Sequence, residues 1–393
     1  MKDKFNAESL MLHHRVSSTD ANPLSTPIYQ NSAFSDDSTY FYTRKSNPNS
    51  LELEQTLSIL EEGKQTITTT TGMSALNLCL QLLKPGDHLV VNKLSYGCSL
   101  KLFQRHCVQN GIQLSIIDLS SKEGLAQITD RVSMVIFETP TNPFLKSISI
   151  REVSEHVKRR NDRALIVVDN TWATPLFQKP LQHGADISVS SATKFISGHS
   201  DVMGGFVSTN NDDLAERLRE TRFYTGAILD PNSAWLLRRS LHTFPLRMRE
   251  HVRTTREICT YLYTRKEIET VYFPETGKDQ LIDYGGIVFV QLKEQYQNYY
   301  NDLKNHLHLF NTGTGMACVN SMIAQPWSGS HASLSDQEKR EMGLNPGLIR
   351  LCFGLETLDD LTADLGQAFD RMSQRHLEEI TAEEELSEFA TYE

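Results

Sequence analysis

Lys194 is the residue in this chain best placed to act as a nucleophile. It lies in Ser188-Val-Ser-Ser-Ala-Thr-Lys-Phe-Ile-Ser-Gly-His-Ser-Asp-Val-Met-Gly-Gly205, after an apparent strand end and before a glycine-bearing turn. A lysine amine attacks a carbonyl when its surroundings disfavour the ammonium form, and a strand end inside an α/β domain supplies such surroundings. Ser191 and Thr193 carry hydroxyls of the kind that bind phosphate oxygens. The plainer reading is a surface lysine in a serine-rich loop, since a short motif is a hypothesis until its context supports it.

A lysine that carries an aldehyde cofactor with a phosphate handle needs partners, and each has a candidate. A carboxylate must keep the ring nitrogen protonated so that the ring accepts electrons, and Asp169 in Val-Val-Asp-Asn-Thr-Trp-Ala-Thr-Pro175 is an acid at a strand end. Its alternative role is an N-cap to the following segment. Tyr96 offers an aromatic face, Asn142 in Glu138-Thr-Pro-Thr-Asn-Pro143 a hydrogen bond for a ring hydroxyl, and Arg350 a two-pronged donor for a substrate carboxylate. Gly72 and Met73 open a helix with free backbone N–H groups that suit an anion, although a simple N-cap by Thr71 accounts for the same residues.

The elements that must hold these groups follow from hydrophobic patterning. Apolar, β-rich runs at 88–92, 114–118, 132–138, 164–169, 187–190 and 205–208 alternate with helical stretches, notably around 97–110 and 151–160. Such alternation predicts an α/β fold with a mainly parallel sheet flanked by helices, whose ligands gather beyond the carboxyl ends of the strands. Residues 1–46 read as a polar arm, 47–245 as a large domain and 246–393 as a small C-terminal α+β domain with an acidic tail. Pro245, in the middle of a helical region at 231–263, is expected to kink or break it.

Composition narrows the functional classes. The 393-residue chain carries a formal net charge of −10, which argues against a nucleic-acid partner. It has no apolar run of membrane-spanning length and no secretory leader, so a cytoplasmic protein without membrane association is expected. Its six cysteines show neither C-x-x-C pairing nor ligand-like histidine spacing, so disulfides and metal are not expected.

Five segments in order resemble the pyridoxal-phosphate enzymes of the transsulfuration family: Tyr42-Thr-Arg-Lys-Ser-Asn-Pro48, Thr71-Gly-Met-Ser74, Glu138-Thr-Pro-Thr-Asn-Pro143, Ser191 to Gly205, and Ile349-Arg-Leu-Cys-Phe-Gly-Leu-Glu356. The resemblance implies an aspartate-aminotransferase-like large domain and pyridoxal 5'-phosphate bound covalently to Lys194, which also carries protons. It implies that Asp169 pairs with the ring nitrogen and that Tyr96 stacks and assists proton transfer. Gly72, Met73, Ser191 and Thr193 would hold the phosphate, Asn142 the ring hydroxyl, and Arg350 the substrate carboxylate. Tyr42 and Arg44 would reach the phosphate from a neighbouring subunit in a homotetramer built from dimers that share sites.

Substrate is less determined. Tyr96-Gly-Cys-Ser99 resembles methionine γ-lyases and makes Cys98 a candidate pocket residue, with a packed cysteine as the alternative, whereas Arg222-Phe223 stand where those enzymes carry Lys-Asp. Gly315-Met-Ala317 replaces the family's Ser-Leu-Gly, with Thr314 able to stand in for the serine if the register slips. Asn320 replaces a frequent Glu, and Trp327 a small residue. The favoured expectation is a carbon–sulfur lyase acting by γ- or β-elimination on a small sulfur-containing amino acid. A γ-replacement transferase and a cofactor-binding protein without turnover are the alternatives.

Overall fold

A computed structural model describes residues 5–14, 23–313 and 315–390, with side chains described as far as residue 383. The chain divides into two compact units, Met1–Met248 with Pro274–Tyr284, and Arg249–Phe273 with Gly285–Glu393. The returning segment has no boundary signal in sequence. It is held by hydrogen bonds, Ile282 N donating to Phe177 O at 3.1 Å and Gln280 Nε2 to Ile148 O at 2.9 Å.

The first unit is built on a seven-stranded sheet of β1 (Gln65–Thr69), β2 (His88–Asn92), β3 (Gln113–Ile117), β4 (Val132–Glu138), β5 (Leu165–Asp169), β6 (Ile187–Ser190) and β7 (Gly205–Thr209), in the order β1-β7-β6-β5-β4-β2-β3. Strands β2 to β6 are parallel, and β7 runs antiparallel to both β6 and β1. Helices α1 (Ala7–His13), α2 (Pro48–Glu61), α3 (Gly72–Leu80), α4 (Gly97–Asn110), α5 (Lys122–Ala126), α6 (Ile150–Lys158), α7 (Thr174–Phe177), α8 (Asp212–Thr225) and α9 (Pro231–Leu241) belong to this unit. Burial on both faces explains the continuous apolar runs. Val135 and Phe137 join Val153 and Val157 of α6 in one cluster, while Met134 and Ile136, on the alternate positions of β4, are also buried. Each such side chain contributes about 1.5–3 kcal/mol by leaving water.

Strand β1 has no such apolar run and is missed by patterning. Its buried Thr66 instead joins a chain of hydroxyls, bonded to Ser58 at 2.9 Å and to Ser208 of β7 at 2.8 Å. At the end of α2, Glu61 is wholly buried. Burial pushes its carboxyl up to about 7, with the Lys179 charge and the Ser188 hydroxyl pulling the other way.

The helical region at 231–263 is broken as expected, into two helices. α9 stops at Leu241, and α10 (Phe244–Leu262) begins with Pro245 in its first turn, where the missing N–H costs nothing. The second unit holds β8 (Ile268–Tyr272), β9 (Ile287–Leu292), β10 (Asn311–Thr312), β11 (Met322–Ala324) and β12 (Leu348–Cys352) in a sheet ordered β10-β11-β12-β9-β8. With α11 (Tyr300–His306), α12 (Asp336–Glu341) and α13 (Leu358–Ala390) it forms an α+β unit whose core includes Val288, Val290, Ile349, Leu351, Leu365 and Phe369. The acidic end of the chain continues α13 as helix, and Arg375 pairs there with both Asp302 and Glu379. Among the described residues no helix is long and apolar enough to cross a membrane.

Candidate active site

The carboxyl ends of β4, β5 and β6 lie side by side, with Glu138 opposite Asp169 and Asp169 opposite Val189. The Asp169 carboxylate accepts hydrogen bonds from the Thr171 amide at 2.9 Å and the Thr171 hydroxyl at 2.5 Å. The same hydroxyl accepts the Ser191 amide at 2.8 Å. One threonine therefore joins the acid of β5 to the loop that carries Lys194. Sequence reading passed over Thr171, whose amide closes an Asx turn on Asp169. Burial raises the Asp169 carboxyl, and the two Thr171 bonds oppose that rise. Its charge reaches α3, where burial first and Asp169 second push the Cys79 thiol up to about 12.

Lys194 sits, partly exposed, in a tight turn. Its amide donates to Ser191 O at 3.3 Å, and Gly198 N donates to Lys194 O at 2.8 Å. Arg247 holds the turn from outside, donating to Phe195 O at 2.8 Å and Ile196 O at 3.2 Å. Its guanidinium is buried, and that burial lowers its pKa to about 10. Gly198 has φ +69°, and a Cβ there would lie 2.0 Å from Arg247 Nη1. Only glycine fits both demands. Arg247 was invisible in sequence because nothing local marks an arginine whose partners are carbonyls some fifty residues earlier.

The N-cap reading of the α3 start is realised. Thr71 Oγ1 caps the Ser74 amide at 3.0 Å, which leaves the amides of Gly72 and Met73 at the open end of the helix. Gly72 lets the Ser191 loop approach: a Cβ would fall 2.6 Å from Ser191 Cβ. Among the described residues the Ser191 hydroxyl has no hydrogen-bond partner, so it is open to an anion at this cradle. Thr193 is differently employed, since its hydroxyl donates to Gly204 O at 3.1 Å and accepts from Gly204 N at 3.0 Å. It closes the loop around Lys194.

Tyr96 precedes the first turn of α4, and its carbonyl accepts from Ser99 N at 2.9 Å and Leu100 N at 3.1 Å. It shares one small cavity with Leu76, Phe137, Glu138 and Asp169. Cys98, two residues on, is exposed. Asn142 is buried, and its side-chain oxygen has no partner among the described residues. An unsatisfied buried amide, helix amides beside an open hydroxyl, and a half-buried acid form a set of polar groups that fits pyridoxal 5'-phosphate.

Tyr42 and Arg44 make their contacts elsewhere in the chain. The Arg44 guanidinium lies 4.2 Å from the Phe223 ring and 5.5 Å from that of Tyr42, and donates to Phe223 O at 3.0 Å. Arg222 forms a buried ion pair with Glu54 and donates to Lys45 O at 3.3 Å. The Arg222-Phe223 pair thus grips the Tyr42–Lys45 loop on both sides.

In the second unit, Arg350 is buried in the middle of β12 and donates to Gly315 O at 2.9 Å and Met316 Sδ at 3.4 Å. A side chain at Gly315 would meet Met322 Sδ at 2.6 Å, so a thioether occupies the space of the family's serine. Ala317 has φ +61°, a left-handed conformation that favours glycine. Asn320 O accepts the Cys318 thiol at 3.1 Å, and Glu356 fixes the adjoining Ser321 through its amide at 2.7 Å and hydroxyl at 2.8 Å. The Trp327 ring lies 4.7 Å from the Lys339 ammonium. Thr314 lies outside the described residues.

Comparison with known proteins agrees with this chemistry. Residues 8–370 match the model of the Cys/Met metabolism PLP-dependent enzymes. The chain is 35% identical to an L-methionine gamma-lyase of Fusobacterium nucleatum over 374 residues, 89% of this chain and 94% of the relative. It is 34% identical to a cystathionine beta-lyase of Lactococcus lactis over 362 residues, 88% and 94% of the two chains. A cystathionine gamma synthase structure from Xanthomonas oryzae superposes with a TM-score of 0.89 at 32% identity, covering 94% of this chain and 99% of that one. The chain therefore belongs to the Cys/Met metabolism family and is a pyridoxal 5'-phosphate-dependent enzyme of the transsulfuration type.

Proposed function

We propose that this carbon–sulfur lyase catalyses elimination at the γ- or β-carbon of a small sulfur-containing amino acid, releasing a thiol, ammonia and 2-oxobutanoate or pyruvate. The observation that carries the reading is the Asp169–Thr171–Ser191 chain of hydrogen bonds, which sets an acid and the lysine-bearing loop in fixed relation. When bound, the cofactor supplies the electron sink. Lys194 would hold its aldehyde carbon and carry protons at Nζ, first from the α-carbon and, for γ-elimination, from the β-carbon. Asp169 would keep the ring nitrogen protonated. Tyr96 would cover the ring face and hand a proton to the departing sulfur, while Asn142 meets the ring hydroxyl. The amides of Gly72 and Met73 with the Ser191 hydroxyl would hold the phosphate, and Thr193 would keep that loop closed. Arg350 is the donor proposed for the amino acid's carboxylate, and Cys98, Tyr42 and Gly315 are proposed substrate-side residues.

The exposed Phe41 and half-exposed Tyr42 support an arm that packs on another copy, with Tyr42 and Arg44 reaching its phosphate in a homotetramer of site-sharing dimers. A cytoplasmic setting is proposed, where all six cysteines, free in this structure, stay reduced.

Likeness to a cystathionine gamma synthase supports a second reading, γ-replacement as a transferase. Incubation with methionine, cystathionine, cysteine, homocysteine and activated homoserines separates the two. A 2-oxo acid with ammonia identifies lysis, and a new thioether or homocysteine identifies replacement and overturns the first reading.

A further inference from the structure

Strands β4 and β5 end on neighbouring acids, and the mechanism uses only one of them. Glu138 is buried, and its carboxyl accepts the Asn142 amide at 3.2 Å and the backbone N–H of Tyr96. One side chain thus fixes the backbones of two residues that bear ring-facing groups, one at the start of α4 and one in the loop after β4. Carboxyl groups on paired strand ends that line one small cavity resist ionising together. Asp169 has the stronger claim to the charge, since Thr171 gives it both an O–H and an N–H. Burial, with the Asp169 charge second, drives the Glu138 carboxyl well above its ordinary range, which favours its protonated form.

We propose that Glu138 is a positioning residue: its carboxyl pins the Tyr96 and Asn142 backbones while leaving Asp169 the one carboxylate charge of the pair. The proposal rests on the assignment of Lys194 and Asp169 to the cofactor. A permanently charged Glu138 would compete for the ring nitrogen's proton, and an apolar residue would deprive the Tyr96 and Asn142 amides of their acceptor. Glutamine reproduces the shape and neutrality of the protonated acid.

The test compares wild-type, Glu138→Gln and Glu138→Ala holoenzymes stripped of cofactor and titrated with pyridoxal 5'-phosphate, affinity being read from quenching of intrinsic fluorescence. The Gln variant is expected within about threefold of wild type in cofactor affinity, and the Ala variant at least roughly tenfold weaker, as for lost supporting hydrogen bonds. A Gln variant as weak as Ala overturns the proposal, and so does an Ala variant equal to wild type. Should Ala fail to fold by circular dichroism, the Gln variant decides: retained affinity supports the proposal, and a tenfold loss overturns it. Borohydride trapping on wild type separates the two levels, because a label absent from Lys194 defeats the cofactor assignment itself and this proposal with it.

Discussion

The Asp169–Lys194 region and the Gly315–Trp327 segment are made of different materials. In the first, backbone amides, a bridging threonine and a glycine forced by close approach hold everything in place, and almost every fixed point is a main-chain atom. In the second, Arg350 rests on a thioether and a carbonyl, a methionine fills the space beside Gly315, and an ammonium covers Trp327. Backbone-built geometry resists exchange of side chains, whereas side-chain-built geometry changes with each substitution. The first suits a constant cofactor and the second a variable substrate.

Substitutions in each region test that contrast. The largest effect is expected for Lys194→Ala, with at least ~10³-fold loss in kcat and no borohydride-labelled peptide. A label on another lysine would refute the assignment. Thr171→Val should leave the Asp169 carboxylate and the Ser191 amide each short of a partner. It should destabilise the protein by about 1–3 kcal/mol and weaken cofactor retention, with Thr171→Ser restoring both. Thermal melts with and without cofactor measure this, and an unchanged Thr171→Val would dissolve the supposed rigidity of the first region.

In the second region the effects should move to substrate. Gly315→Ser must displace the Met322 sulfur and is expected to change relative kcat/KM among sulfur amino acids by roughly tenfold, the scale of a single altered pocket group. Cofactor affinity should stay constant, and a large fall in it would erase the distinction between the regions. The smallest effect is expected for Ala317→Gly, a gain of up to about 1 kcal/mol in stability because φ +61° is relaxed. Denaturant titration checks the sign.

Much of this was legible in sequence where chemistry needs a particular residue type at a strand end. Lys194 and Asp169 were singled out in that way, and six strands of the first sheet followed from apolar runs. What stayed hidden depends on partners distant in the chain. Arg247 serves carbonyls at 195 and 196, Glu138 holds amides at 96 and 142, and β1 hides its alternation because hydroxyls satisfy one another inside the sheet. Trp327 was read as a departure from the family, but its Lys339 cover is set by folding.

Glu61 has a consequence for the environment the protein tolerates. Its folded-state pKa near 7 lies above the ordinary 4.5, so the protonated form is the one the fold prefers. The stability it lends is complete below pH 4.5 and is surrendered as pH climbs through 7. Glu138 and Asp169, also raised, act in the same direction. These three groups therefore support the cofactor-free fold more in acid than above pH 7. A protonated ring nitrogen beside Asp169 relieves one of these three burdens, so the loaded enzyme should feel alkalinity less than the empty one.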